Sequence, residues 1–357
     1  MDVIASIATT LIEQFQKPTL SFLIAGMVLA ALGSRLEIPQ PVYKIIVTLL
    51  LLKVGMSAGL SVRQADLWSL LVPAIGAAAV GIAAVVVGGR VLARFHGVSR
   101  VDGLATAGLF GAVSASTLAA GMAILDDEGI AYEGFIGALY PFMDLAALIT
   151  AIVLARVSLA RQEATSLQGG GTAVLGGGPA GPSLPRLGGE EGALLKGIVV
   201  DTLRSPAISA LLIGLALGLF ADPSTVYNSF YEPIFRGLLS ILMLVMGMEA
   251  WARLAELRKV AHAYILYGLA APLVHGLLGL GAGIAAHHLA GFSPGGVVLL
   301  AVMAASSSDI SGPPTLRAAL PEANPSAYVG ASTGLGTPVA ILSIPLFIAL
   351  TDALIGF

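Results

Sequence analysis

Long apolar runs separated by short polar breaks dominate this chain. Ten of them, at 19–34, 42–60, 68–95, 102–125, 132–157, 202–221, 233–250, 262–289, 294–318 and 327–355, approach or exceed the roughly 20 apolar residues that a membrane-crossing helix needs. Each is predicted to be a spanning helix. Between the fifth and sixth the pattern stops. Residues 159–195 include Gly169-Gly170-Gly171 and Gly176-Gly177-Gly178-Pro179, a composition that predicts a flexible linker. The chain divides there into a first half, 1–158, a linker, 159–200, and a second half, 201–357.

Composition agrees with the pattern. The sequence is 57% hydrophobic and 11% charged, where a soluble domain carries roughly 25% charged residues. So few charges cannot cover the chain in water, so its outer surface must face lipid. The 44 glycines suit helices that pack closely or break. A net charge of -3 with no basic, aromatic-interleaved patch argues against nucleic acid as a partner. No cysteine is present, which excludes disulfides, thiolate catalysis and Cys-ligated metals. Residues 1–16 lack a basic leader, so the first apolar helix is expected to insert uncleaved.

The halves repeat. Pro18-Thr19-Leu20-Ser21 leading to Gly26 matches Pro206-Ala207-Ile208-Ser209 leading to Gly214. Gly55-Met56-Ser57-Ala58 matches Gly247-Met248-Glu249-Ala250, Ser114-Ala115-Ser116-Thr117 matches Ser306-Ser307-Ser308-Asp309, and Ala131-Tyr132-Glu133-Gly134 matches Ala327-Tyr328-Val329-Gly330. Four collinear matches point to duplication. Five helices per repeat force the second half to enter from the opposite side. That is the inverted architecture of secondary transporters, whose substrate site lies at the repeat interface near the midplane. Lys17, Arg63 and Arg236 fall on one side, whereas most of the 18 basic residues fall on the other, which is therefore expected to be cytoplasmic. Both termini then face out and the linker faces in.

Two segments carry chemistry. Gly108-Leu109-Phe110-Gly111-Ala112-Val113-Ser114-Ala115-Ser116-Thr117 and Ala304 to Thr315 put small, hydroxyl-rich stretches mid-span, where unpaired backbone cannot face lipid. Gly312-Pro313-Pro314 cannot continue a helix, because proline lacks a donor and clashes with the preceding turn. Helices four and nine are therefore predicted to be broken. A broken helix offers N–H groups to an anion and freed carbonyls to a cation. Asp309 adds a full negative charge that needs a cation, a proton or a partner. A small oxyanion and sodium can thus bind side by side, although serines and glycines in such helices also serve simply for close packing.

Other polar residues leave more open. Asp144 suits a cation site and a structural cap equally. Glu249 is expected at an interfacial helix end, and Lys53 is expected to pair with a carboxylate. His287, His288 and His275 are poor candidates for metal ligation. Thr333 to Pro338 is predicted to break the tenth helix, mirroring Gly137 to Pro141 in the fifth. Rival readings are a sodium/proton antiporter using Asp309 or Asp144, a passive anion channel, and an intramembrane enzyme using Asp126-Asp127 as a metal pair. A transporter, not an enzyme, is expected.

These stretches, with Gly137 to Asp144, Phe235 to Trp251 and Ala304 to Arg317, make the chain resemble the cyanobacterial sodium-dependent bicarbonate transporters over nearly its whole length. The resemblance implies an all-α membrane protein of ten helices divided into core and gate domains, assembled as a homotrimer in the plasma membrane. It implies import of bicarbonate with Na+ as coupling ion, for carbon concentration. By the same resemblance, bicarbonate is expected at Phe110, Gly111, Ala112, Ser114, Ser116, Thr117, Ser306 and Ser307. Sodium is expected at Ser308, Asp309, Ser311 and Asp144. A PII-like regulatory protein is implied as a partner on the cytoplasmic face, with Arg94–Arg100 and Arg253–Lys259 as docking surfaces. The linker is short of the Ser, Tyr and charged residues of relatives.

Overall fold

The apolar runs fold as helices in the computed structural model, which describes residues 18–168, 196–197, 199–200, 203–257 and 262–357. Residues 1–17, most of the linker, Arg258 and Lys259 lie outside the described residues. No strand occurs among those described. The helices are α1 (Pro18–Ala31), α2 (Gln40–Val62), α3 (Leu67–Leu92), α4 (Arg100–Gly111), α5 (Ala115–Glu128), α6 (Tyr140–Gln168), α7 (Pro206–Phe220), α8 (Glu232–Leu257), α9 (His262–Ala290), α10 (Pro294–Ala305), α11 (Gly312–Ala319), α12 (Pro325–Ala331), α13 (Thr337–Leu342) and α14 (Ile344–Ile355).

Among the described residues, six spans are long and apolar enough to cross a membrane, or seven when the bent pair Pro325–Leu342 and Ile344–Ile355 is taken as one. The apolar helices α1, α7 and α10 are shorter. At 14 residues α1 extends about 21 Å, against a hydrocarbon core of about 30 Å. Side-chain caps start several helices: Asp66 accepts from the Trp68 N–H, Ser99 from Asp102, Ser205 from Ile208 and Ser293 from Gly296.

Close packing decides which helices pair. α1 lies along α8 and α2 along α7. A Cβ at Gly26 would strike the Leu244 carbonyl, and one at Gly247 would strike the Leu23 carbonyl. Likewise Gly55 presses on the Leu211 carbonyl and Gly214 on that of Leu52. A second assembly joins α3 to α4, α6 and α9, and α9 to α10. The apolar middle of the span formed by α4 and α5 is wholly buried within the protein, so it meets side chains rather than lipid.

Three expectations are corrected here. Residues 333–338 do not break their helix. The backbone widens into a π turn over Ser332–Gly336 and bends by 41° at Ser343, just before Pro345 removes a donor. Glu249 is not at a helix end, since α8 continues to Leu257. Asp126, Asp127 and Glu128, whose run of acidic charge is expected to be an outward-facing loop, instead form the last turn of α5, ended by Gly129 at φ 67°. Lys53 does pair with a carboxylate: its Nζ lies 3.2 Å from Glu232 and 4.1 Å from the Phe235 ring centre.

Candidate functional site

The central helix stops at Gly111 and restarts at Ala115, with Ala112, Val113 and Ser114 extended or uncoiled between. Gly111 leaves its neighbours room to pack closely there. A side chain on it would meet the Gly81 carbonyl, Val85 and Ala147. Ser114 then caps α5, its hydroxyl accepting from the Thr117 N–H at 3.3 Å. The second break runs from Ser306 to Ser311, between α10 and α11. Three consecutive serines compete for backbone hydrogen bonds, and the prolines at the start of α11 preset the new helix.

The two breaks touch. The Ser114 N–H donates to Ser306 Oγ at 2.9 Å, and the Ser308 N–H donates to the Leu109 carbonyl at 2.8 Å. Two polar chains leave this crossing. In one, the Ser114 and Ser116 hydroxyls lie 2.8 Å apart and Ser116 Oγ donates to Asp309 Oδ2 at 2.9 Å. In the other, the Ser308 and Ser311 hydroxyls lie 2.9 Å apart, and Ser311 Oγ donates to Asp144 Oδ2 at 3.2 Å. The Val113 N–H also donates to Asp144, at 3.1 Å. All the serines named here are buried, as is Asp144. Asp309 is half-buried and lines a cavity of about 360 Å³ with Tyr43, Lys44, Thr48, Ala207 and Pro314.

That cavity lies where α2 and α7 begin. At their other ends Arg63 donates to the Ala221 carbonyl at 3.2 Å. About midway along α2 the Lys53–Glu232 pair sits, and Arg236, one turn along α8, pairs with Asp127 at the end of α5, 2.5 Å away. The cavity thus lies toward one end of α2 and α7, and the Arg236–Asp127 pair lies toward the other.

The expected residues divide. Ser114, Ser116, Ser306 and Asp309 share one chain of hydrogen bonds, while Ser308, Ser311 and Asp144 share the second. Thr117 Oγ1 is buried beside them and has no hydrogen-bond partner. Ser307 turns away, toward the Ser332 carbonyl and Thr337 Oγ1, both at 3.2 Å. Phe110 and Ala112 are packed among apolar side chains, and the Phe110 ring meets Tyr267 edge-on at 5.0 Å.

Sequence reading passed over several participants. Tyr140 OH donates to the Val113 carbonyl at 3.0 Å. His275 Nδ1 lies 3.1 Å from the Phe110 carbonyl, a freed acceptor at the end of α4. Ser332 and Thr337 brace the second break. The four-residue spacing of Tyr140 and Asp144 put them on one helix face. Thr337 falls in the 333–338 segment that the sequence set beside the same cavity, whereas nothing in the sequence tied His275 or Ser332 to the breaks. His287, set aside as a ligand, contacts the Phe292 carbonyl at 2.6 Å, and Asp126 accepts from Tyr132 at 3.0 Å.

A family model described as the Na+-dependent bicarbonate transporter superfamily matches residues 18–352. No curated protein matches the chain.

Proposed function

The chain belongs to the Na+-dependent bicarbonate transporter superfamily, and we propose that it is a symporter that imports bicarbonate together with sodium across the plasma membrane, for carbon concentration. Both solutes bind where the two helix breaks cross. The observation that carries this reading is the linked pair of contacts Ser114 to Ser306 and Ser116 to Asp309. It sets the N-terminus of α5, with its positive dipole end, beside a carboxylate that a cation can neutralise.

In this reading the anion sits at the start of α5, contacting Ser114, Ser116, Thr117 and Ser306. Sodium sits against Asp309, with Ser308 and Ser311 as neighbouring hydroxyls. Asp144 takes a different part, described below. Placing the ions together has a physical purpose. A lone anion entering a negative interior costs about 2.3 kcal/mol per 100 mV. One accompanying sodium cancels that charge, and the sodium gradient supplies the drive.

The ten apolar runs form ten spans in two inverted repeats, 1–158 and 201–357, joined by the linker. The close glycine contacts support this. Gly26 corresponds to Gly214 and Gly55 to Gly247 in the repeat, so α1 on α8 and α2 on α7 are the same contact made twice. These four helices form the gate domain and the remainder the core. The termini face out, and the cavity beside Asp309 opens inward. The active unit is a homotrimer, and a PII-like regulator docks on the cytoplasmic face near Arg94 and Arg100, both exposed.

The test is uptake of labelled bicarbonate into liposomes with and without external sodium, for the native chain and Asp309→Ala. Sodium-dependent accumulation, lost in the variant, is expected. Sodium-independent equilibration overturns symport.

A further inference from the structure

Asp309 and Asp144 stand in different surroundings, although both are carboxylates at the crossing of the breaks. Asp309 borders a cavity. Asp144 is 0% exposed. An ion that loads and leaves in every cycle needs a path to its ligand, and Asp309 has one.

Asp144 has compensation built around it. It lies in the second turn of α6. It accepts from the Val113 N–H and from Ser311 Oγ. Hydrogen bonds to an ionised acceptor are the stronger kind, so these two donors offset part of the cost of burying the carboxylate.

Tyr140 precedes Asp144 by four residues and so shares its face of α6. Its hydroxyl donates to the Val113 carbonyl at 3.0 Å and lies 3.5 Å from Ser311 Oγ. One helix turn thus grips Val113 by both backbone polar groups and also reaches Ser311. Val113 immediately precedes Ser114, the cap of α5. Ser311 immediately precedes α11.

We infer that Tyr140 and Asp144 are a positioning pair, holding the first break at Val113 and the second at Ser311 in register, while Asp309 takes the exchanging sodium. The inference rests on the proposed transport function and refines its site. It assigns Asp144 a mechanical role: rotation or slip of the Val113 peptide would swing Ser114 and the N–H groups of α5 away from the anion. Loss of the pair therefore weakens bicarbonate recognition before it weakens sodium binding.

The experiment uses the purified full-length chain in lipid nanodiscs and liposomes. Sodium titrations of thermal stabilisation report cation binding without transport. Bicarbonate half-saturation is measured in parallel at saturating sodium. Tyr140→Phe and Asp144→Asn are expected to keep the sodium midpoint within about threefold of native, less than 1 kcal/mol of binding energy, and to raise bicarbonate half-saturation. Asp309→Asn is expected to move the sodium midpoint by roughly tenfold or more, because a full charge leaves the cation's side. An Asp144→Asn midpoint displaced as far as that of Asp309→Asn overturns the inference, as does native bicarbonate half-saturation in Tyr140→Phe. Should Asp144→Asn fail to fold, Tyr140→Phe, which removes one hydroxyl, decides by the same two readouts. A native chain that shows neither sodium stabilisation nor sodium-dependent uptake overturns the transport reading itself, a result distinct from the other two.

Discussion

Thr117 sits in the first turn of α5 with its hydroxyl buried and without a partner. A buried hydroxyl left unpaired costs about 1–3 kcal/mol, so its retention calls for an occasional acceptor. In the proposed reading, a bicarbonate oxygen at the start of α5 is such an acceptor. Thr117→Val preserves shape and removes the hydroxyl. Bicarbonate half-saturation in the variant is expected to rise by roughly three- to tenfold, the worth of one net hydrogen bond of about 0.5–1.5 kcal/mol. The uptake assay reads this directly, and an unchanged half-saturation would mean that the hydroxyl does not face the anion. Ser307 differs in kind, because its hydroxyl is already committed to Ser332 and Thr337.

At the scale of elements, two devices shape the site. Hydroxyl-rich stretches end α4 and α10, and the freed groups are satisfied across the break rather than along it, as Ser308 to Leu109 and His275 to Phe110 illustrate. Lipid offers no alternative partner for such groups, so the two breaks must meet protein. The second device is the glycine contact that lets α2 and α7 approach backbone to backbone. Gly55→Val puts a branched side chain against the Leu211 carbonyl. Overpacking of this sort costs about 1–3 kcal/mol. Thermal unfolding in detergent is expected to fall accordingly, whereas Gly237→Ala, with no atom within 4 Å of the added carbon, serves as the neutral control.

At the scale of the whole molecule, the cavity beside Asp309 opens at one end and the Arg236–Asp127 pair closes toward the other. Alternating exposure requires that pair to separate. Arg236 is 64% exposed, so the bond is screened and weak enough to break in each cycle. The natural chain has no cysteine, which makes Thr48→Cys a clean reporter of the open cavity. Arg236→Asp is expected to reduce labelling of that cysteine by a membrane-impermeant maleimide applied from the cavity side. Combining it with Asp127→Arg should restore the labelling. Equal labelling in all three would show that the pair does not bias the two states.

Chain-level features were legible in the sequence because they follow from solvent physics and from backbone chemistry. Apolar length and the scarcity of charge placed the helices in lipid. Small, hydroxyl-bearing runs and Gly312-Pro313-Pro314 located both breaks, since a helix cannot run through them. The Pro313 and Pro314 start of α11 falls where that chemistry requires. Local patterns were less dependable where tertiary contacts overrode them: the segment at 333–338 stays helical through a π turn braced by Ser307 and Ser308, and Glu249 lies within a longer α8. Only the tertiary structure decided how the candidate residues sort. Ser307 differs from Ser306 and Ser308 solely in which way the uncoiled backbone turns it. Asp144 and Asp309 are the same chemical group. What separates them is a cavity at one and a closed set of donors at the other, and both arise from residues remote in the chain.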